Sequence, residues 1–180
     1  MAKRSVKKFF GIKILRKPFH SSDLGYFSET YRGSWLKRDF VQDSISMSRK
    51  KGTIRGLHQQ KGKKVQAKLI SVIKGSIQDY FVDLRPNSKT FGDYGSIKLD
   101  DKNNLCLFIP KGFAHGFISL KTNTIVSYKL DNYYSPKDEI TILWNDPDIS
   151  IKWPEKLKYT LSKKDKEGIS LKKYLSDVFK

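Results

Sequence analysis

Apolar and polar positions alternate with a period of two over much of the chain between about residues 39 and 145, the mark of half-buried strands. The segment KLISVIKGSIQDYFVDLR carries two such runs on either side of Lys74-Gly75, which predicts a hairpin there. In the first run Lys68, Ile70 and Val72 share a face; in the second Ile77, Asp79, Phe81 and Asp83 share one. A Lys and an Asp recurring among apolar same-face neighbours point to an inward polar site rather than a plain core. SIKLD, NLCLFIP, HGFISL, TIVSYKL and EITILWN predict further strands, separated by turns such as Asp101-Lys102-Asn103 and Ser135-Pro136. Many short strands at regular spacing predict a mostly β sandwich or barrel. Helical spacing is confined to the end, where Leu171, Tyr174, Leu175 and Val178 form a stripe after Ser170, a suitable N-cap. A short C-terminal helix is therefore expected over about 170–179, and a weaker helical signal lies near Ser34–Lys37. With no repeat, low-complexity tract or linker, residues 1–180 read as a single domain.

Charge and composition narrow the function classes. The chain of 180 residues is long enough for one proper core. Its net charge is +18, but only 7 of its 36 basic residues are Arg. Nucleic-acid recognition favours Arg forks and aromatic platforms, whereas here the Lys are scattered in short clusters (Lys61/Lys63/Lys64 and Lys163/Lys164/Lys166). The charge reads mainly as solvated surface, with attraction toward an anionic small molecule as the second reading and no nucleic-acid partner expected. Cys106, the single cysteine, lies in the apolar run LCLFIP and reads as a small buried hydrophobe in a reducing compartment. No stretch approaches the roughly 18 apolar residues of a membrane span. The basic start MAKRSVKKFFGIKILRK lacks the apolar region of about 7–15 residues that a secretory signal needs. A cytoplasmic protein with no membrane association is expected.

Three histidines are candidates for chemistry. His20 falls in a loop-like N-terminal stretch and reads as a surface residue. His58 sits in GTIRGLHQQ, where Gly52 and Gly56 permit a turn or bulge that could re-aim neighbouring side chains. His115 follows a proline-glycine turn in IPKGFAHGF. Taken singly, His58 and His115 fit a structural role as well as a functional one. The spacing of Pro110, Gly112 and His115 resembles the P-x-G-x-x-H signature of the cupin jelly-roll superfamily. Many cupins bind a metal through an earlier H-x-H pair, but this chain has His58-Gln59-Gln60 there, so neither a metal nor another cofactor is expected.

A closer resemblance covers about Gly25 to Leu171. FVQDSISMSRKKGTIRGLHQQ, AKLISVIKGSIQDYFVDLRPNSKTFGDYG, IPKGFAHGF, SYKLDNYYSPKDE, LWNDPDISIKWP and LSKKD are similar, in order and spacing, to the dTDP-4-dehydrorhamnose 3,5-epimerase family. The resemblance implies a cupin-type jelly-roll β-barrel and an isomerase that inverts C3 and C5 of a nucleotide-linked 4-keto-6-deoxy sugar. Such chemistry needs a base for the acidified C–H, positive charge for the enolate, and an acid on the opposite face. By resemblance His58 is the base, Asp165 orients its imidazole, Tyr128 is the proton donor, and Lys68 lies near the 4-keto oxygen. Read from the residues alone, Asp165 is an ordinary charge in a loop, Tyr128 a core Tyr and Lys68 a solvent-facing Lys, although its shared face with Ile70 and Val72 argues against the last.

The resemblance also implies substrate contacts from Glu29, Gln42, Asp43, Ser44, Arg55, His115, Glu139 and Lys164, and stacking of Tyr134 on the thymine ring. It implies a homodimer in which the N-terminal segment of about 1–33 contributes to the interface, so that Glu29 acts across it. Two positions depart from the family pattern: Leu24 stands where Arg is usual, and Ser44 where Asn is usual. Both belong to nucleotide binding, which leaves open a different nucleotide or sugar; a 3-epimerase alone is a separate rival, since family members that act only at C3 can retain the same His, Asp and Tyr types. A non-catalytic sugar-nucleotide-binding cupin is the rival of another class.

Overall fold

The structure is a computed structural model that describes residues 9–178. Among the described residues there are twelve strands, and the two large sheets each contain five. The first is ordered β1 (Lys13–Arg16), β9 (Leu105–Ile109), β6 (Lys68–Lys74), β11 (Thr124–Leu130) and β4 (Gln42–Ser48). The second is ordered β12 (Glu139–Thr141), β5 (Ile54–Gln60), β10 (Phe113–Ser119), β7 (Ser76–Asp83) and β8 (Tyr94–Asp100). A separate hairpin joins β2 (Phe19–Ser22) and β3 (Gly25–Ser28). Every strand pair is antiparallel, and β4 pairs β11, β5 pairs β10, β6 pairs β9 and β7 pairs β8. This nested pairing, outermost strand with outermost, is the jelly roll expected from the cupin-like signature. Among the described residues no helix is long and apolar enough to cross a membrane.

Period-two alternation sorts the side chains into three apolar layers. Ile70, Val72 and Val126 of the first sheet meet Ile77, Phe81, Phe113 and Phe117 of the second between the sheets. The outer face of the second sheet, with Ile54, Leu57, Tyr80 and Val82, is covered by Ile149, Trp153, Leu171 and Tyr174. The outer face of the first, with Leu69, Cys106 and Phe108, is covered by Tyr31, Leu36 and Phe40. Strand β7 is buried on both faces: Ile77 and Phe81 face the intersheet layer, and Tyr80 and Val82 face away. Cys106 is buried and free, and His20 is exposed, both as expected.

The hairpin expected at Lys74-Gly75 does not form. Strands β6 and β7 belong to different sheets, so Gly75 is a corner at which the chain crosses from one to the other. Gly75 has φ +89°, and a Cβ there would stand 2.4 Å from Thr124 Oγ1 and 3.0 Å from Thr124 Cα. Alternation looks the same on both sides of a hairpin and of a corner, which is why the two were not separable by pattern. The run EITILWN forms a strand only over Glu139–Thr141 at the sheet edge, beyond which Ile142 makes a single parallel bridge to Ile169. The weak signal near Ser34–Lys37 is one 3-10 turn at Gly33–Trp35. The C-terminal helix α2 spans Leu171–Val178, capped by Ser170 Oγ, which accepts from the Lys173 amide at 3.1 Å; residue 179 lies outside the described residues. A second, one-turn helix not anticipated from the pattern, α1, spans Lys163–Lys166.

Gly75→Ala should destabilise the fold by roughly 1–3 kcal/mol, because a Cβ clashes at Thr124 and the left-handed backbone is unfavourable with a side chain. Urea unfolding monitored by tryptophan fluorescence measures this. A loss below about 0.5 kcal/mol would show that the corner does not need glycine.

Candidate active site

A cleft of about 360 Å³ lies between the two sheets, lined by residues of both. One wall comes from the second sheet and carries Arg55, His58, Gln60, His115, Phe117 and Glu139. The facing wall comes from the first sheet and carries Ser44, Ser46, Lys68, Tyr128 and Leu130. Tyr134 lies on a loop at the rim, and Ser162, Lys164 and Asp165 enter from α1 and its cap. His115 and Tyr128 bring the walls together, their ring centroids 6.2 Å apart.

Strand β5 aims His58 through a break in its alternation. Ile54 and Leu57 both face the outer apolar layer, and Arg55 and His58 both line the cleft, although each pair is three residues apart. A regular strand would put the members of each pair on opposite faces. The register against β10 shifts between His115 and Phe117, opposite this segment, so an irregularity at Gly56 resets the phase. Gly56 has φ +112°, and a Cβ there would lie 2.6 Å from both Gly116 Cα and the His115 carbonyl oxygen. Glycine is therefore the residue that lets β5 present both Arg55 and His58 inward.

Asp165 meets His58 directly, although 107 positions separate them. His58 Nε2 lies 2.7 Å from Asp165 Oδ1, and the same oxygen accepts the Gly56 amide at 3.2 Å. Asp165 Oδ2 accepts from Ser162 Oγ at 2.6 Å, while the Asp165 amide donates back to that hydroxyl at 3.2 Å. Burial pushes this carboxyl up, but the hydrogen bonds from His58 and Ser162, the attraction of His58 and the Gly56 amide outweigh it and hold it below the ordinary Asp range. On its other side His58 Nδ1 is 3.8 Å from Glu139 Oε1.

The remaining polar groups form a connected set. Lys68 Nζ donates to the His58 carbonyl oxygen at 3.1 Å. Burial pushes the Lys68 ammonium down to about 8, against the pull of Glu139 and Asp79. Glu139 is also pushed up by burial, yet its hydrogen bonds with Lys164 and Tyr134 and the proximity of His58 bring it below the ordinary Glu range. Its Oε2 accepts from Tyr134 hydroxyl at 2.8 Å, and burial together with that carboxylate raises the phenol to about 12. Tyr128 is raised further by burial, so it stays protonated; its hydroxyl lies 3.0 Å from Ser46 Oγ. His115 Nε2 is 2.8 Å from Asp79 Oδ2, which makes the inward Asp of β7 the support of His115. Burial raises the Asp79 carboxyl despite that contact. Arg55 is held by Ser48 Oγ at 3.2 Å and the Met47 carbonyl oxygen at 3.0 Å.

Three expected contacts stand outside this cleft. Gln42 does not line it but supports it: its Oε1 accepts from the Tyr134 amide at 2.8 Å and its Nε2 donates to Ser44 Oγ at 3.2 Å. Asp43 points the other way, because the alternation of β4 puts it on the outward face with Ile45, where it pairs with Lys129 at 2.7 Å. Glu29 lies after the β2–β3 hairpin, paired with Arg32, and Leu24 is fully exposed at the hairpin tip. Ser46 and Ser162 are supporting groups that residue patterns did not single out, whereas Asp79 is the inward Asp that the alternation of β7 pointed to. For Ser162 a signal existed, since Ser is a favoured N-cap residue and an acidic residue three positions on suits the first turn of a helix. Among the described residues no three His, Cys, Asp or Glu side chains cluster as a metal site.

A jelly roll that holds a carboxylate-bound imidazole, a desolvated ammonium and a protonated phenol in one cleft has the make-up of a proton-transfer enzyme. The chain belongs to the dTDP-4-dehydrorhamnose 3,5-epimerase family, a family of carbohydrate isomerases, whose profile matches residues 7–173. It is 44% identical to the dTDP-4-dehydrorhamnose 3,5-epimerase of Methanothermobacter thermautotrophicus over 149 residues, 80% of each chain. The crystal structure of the Bacillus anthracis dTDP-4-dehydrorhamnose 3,5-epimerase with TDP and PPi bound superposes with a TM-score of 0.87 at 41% identity, covering 94% of this chain and 99% of that one. A 3'-monoepimerase from Streptomyces bikiniensis in complex with dTDP-quinovose also superposes with a TM-score of 0.87, at 26% identity over 93% of this chain and 87% of that one.

Removing the Glu139 charge should lower the Lys68 titration midpoint below about 8, since that carboxylate is the leading force favouring the ammonium. NMR titration of lysine Cε signals in Glu139→Gln tests this, and a midpoint that stays or rises would contradict it.

Proposed function

We propose that the protein inverts C3 and C5 of dTDP-4-dehydro-6-deoxy-D-glucose to give dTDP-4-dehydro-L-rhamnose for deoxysugar and polysaccharide synthesis. The observation that carries this reading is the convergence of His58 with Asp165, Lys68 and Tyr128 in one cleft, with His58 and Tyr128 on opposite walls. The 4-keto group acidifies the C–H bonds on either side of it. His58 removes a proton from C3, and the electron pair moves onto the C4 oxygen. The Lys68 ammonium stabilises that enolate in a partly desolvated site. Tyr128 then returns a proton to carbon from the other face, as the enolate collapses to the ketone, and both residues re-equilibrate with solvent. The same cycle at C5 completes the double inversion. Asp165 holds the imidazole in orientation and stabilises its protonated form, as in other carboxylate-backed bases. The positive charge comes from the protein itself, so this chemistry calls for no metal or redox cofactor.

Arg55, Lys164 and His115 supply donors for the diphosphate and sugar, and Tyr134 a face for the thymine ring. The reading extends to a cytoplasmic homodimer in which the β2–β3 hairpin and Glu29 serve the partner's cleft. That arrangement is supported by the position of Glu29 outside its own cleft and by the exposure of Tyr26, Phe27, Ile45 and Met47. Inversion at C3 alone is the second reading, favoured by the likeness to a 3'-monoepimerase.

Incubation with dTDP-4-dehydro-6-deoxy-D-glucose in heavy water, followed by NMR, is expected to place deuterium at both C3 and C5. Deuterium at C3 alone selects the second reading, and no exchange at either carbon sinks both. In the same assay His58→Ala and Asp165→Asn should lower turnover by about 100-fold or more while leaving substrate affinity within a few-fold. Near-normal turnover in either variant would remove the pair from the mechanism.

A further inference from the structure

Three glutamines converge on the loop that carries Tyr134. Gln66 Nε2 donates to the Asn132 carbonyl oxygen at 2.7 Å, Gln42 Oε1 accepts from the Tyr134 amide at 2.8 Å, and Gln60 Oε1 accepts from the Ser135 amide at 2.9 Å. Gln42 and Gln66 both have their amide nitrogens engaged, on Ser44 Oγ and Asn132 respectively. Gln60 differs. Its Nε2 is buried and has no hydrogen-bond partner among the described residues. The direction of this carboxamide is set by chemistry: the Ser135 N–H requires an acceptor, so the oxygen faces the loop and the NH2 group faces away from it.

Gln60 is 3% exposed and lines the cleft. It follows His58 by two positions on the regular part of β5, opposite Glu139 of β12, so the two side chains leave the same face roughly 7 Å apart. Buried donors are almost always paired in folded proteins, and an unpaired one is costly. A cleft lined by such a donor favours ligands that bring an acceptor to it and rejects those that do not.

We infer that Gln60 determines specificity in this cleft: its NH2 group donates to an oxygen of the sugar or of the phosphate attached to it. The inference rests on the substrate reading given above. His58, the base at the sugar carbon, lies one strand repeat to one side, and Ser135, held by Gln60, adjoins Tyr134, the residue stacked on the nucleoside base. Gln60 therefore stands between the two ends of the ligand, where the glycosyl phosphate and the sugar oxygens lie. Because the carboxamide is neutral and fixed, it selects by direction of hydrogen bonding, a discrimination that Lys68 and Lys164 do not provide.

The test is calorimetric titration of wild type, Gln60→Glu and Gln60→Met with dTDP-glucose and with dTMP, which lacks the sugar and its attached phosphate. Gln60→Glu keeps the shape and the acceptor for Ser135 but replaces the donor by an oxygen; Gln60→Met removes the donor without adding charge. Both variants should weaken dTDP-glucose by about tenfold or more, the cost of roughly one charge-assisted hydrogen bond, while dTMP stays within about twofold in Gln60→Glu. Equal losses for both ligands in Gln60→Glu would reduce Gln60 to a support for the loop and overturn the inference. So would unchanged binding of dTDP-glucose, or a selective loss in the Glu variant alone, which would be charge repulsion. If wild type binds neither ligand, the substrate reading falls and this contact with it. If wild type binds and the variants match it, only the contact falls.

Discussion

The buried carboxylate of Asp165 is the point on which the cleft depends. A carboxylate removed from water is stable only when its oxygens are met by donors. Here the His58 ring, the Gly56 amide and the Ser162 hydroxyl supply them from two distant stretches of chain. One group thus pins the irregular segment of β5, holds the Ser162 cap of the one-turn helix α1 and fixes the imidazole ring. The elements are coupled: loosening α1 would free the ring, and relaxing β5 would leave the carboxylate short of a donor. The low pKa of Asp165 follows from this convergence rather than from its exposure, since burial acts in the opposite direction.

The jelly roll makes that convergence useful by setting two sheets face to face. Their inner faces are apolar over most of the contact, where Phe81, Phe113 and Phe117 meet Ile70, Val72 and Val126. Toward one end the same alternating positions become Lys68, Tyr128, His58 and His115, so the cleft is the polar continuation of the core rather than a separate annexe. The Lys68 ammonium is tied to the main-chain oxygen of His58, which links the first sheet to the second at the reacting centre. Substituting the imidazole leaves that tie in place, so the contributions of His58 and Lys68 can be separated experimentally.

Much of this was legible in the residue pattern. Alternation placed Lys68 with Ile70 and Val72, and Asp79 with Ile77 and Phe81, and these are inward faces in the structure. The same alternation, applied to β4, separates Asp43 from Gln42 and Ser44, and the outward position of Asp43 follows from it. The corner at Gly75 was not legible, because the flanking runs are identical in character whether the chain folds back in its own sheet or enters the other. The partnership of Asp165 with His58 was legible only through family resemblance, since contact across 107 positions leaves no local trace. Gln60 escaped notice for a different reason: a neutral amide in a polar stretch reveals its role only when its unsatisfied nitrogen is seen.

The phase reset at Gly56 has a consequence for how this gene can change. Loops elsewhere on a jelly roll absorb inserted or deleted residues, because the strands they join keep their own inside and outside. Between Ile54 and His58 the spacing behaves instead like a reading frame. A regular strand of the same length would turn either Ile54 or His58 to the wrong side, and so would one residue inserted into the irregular strand. Insertions among relatives should therefore be tolerated around this segment and purged within it.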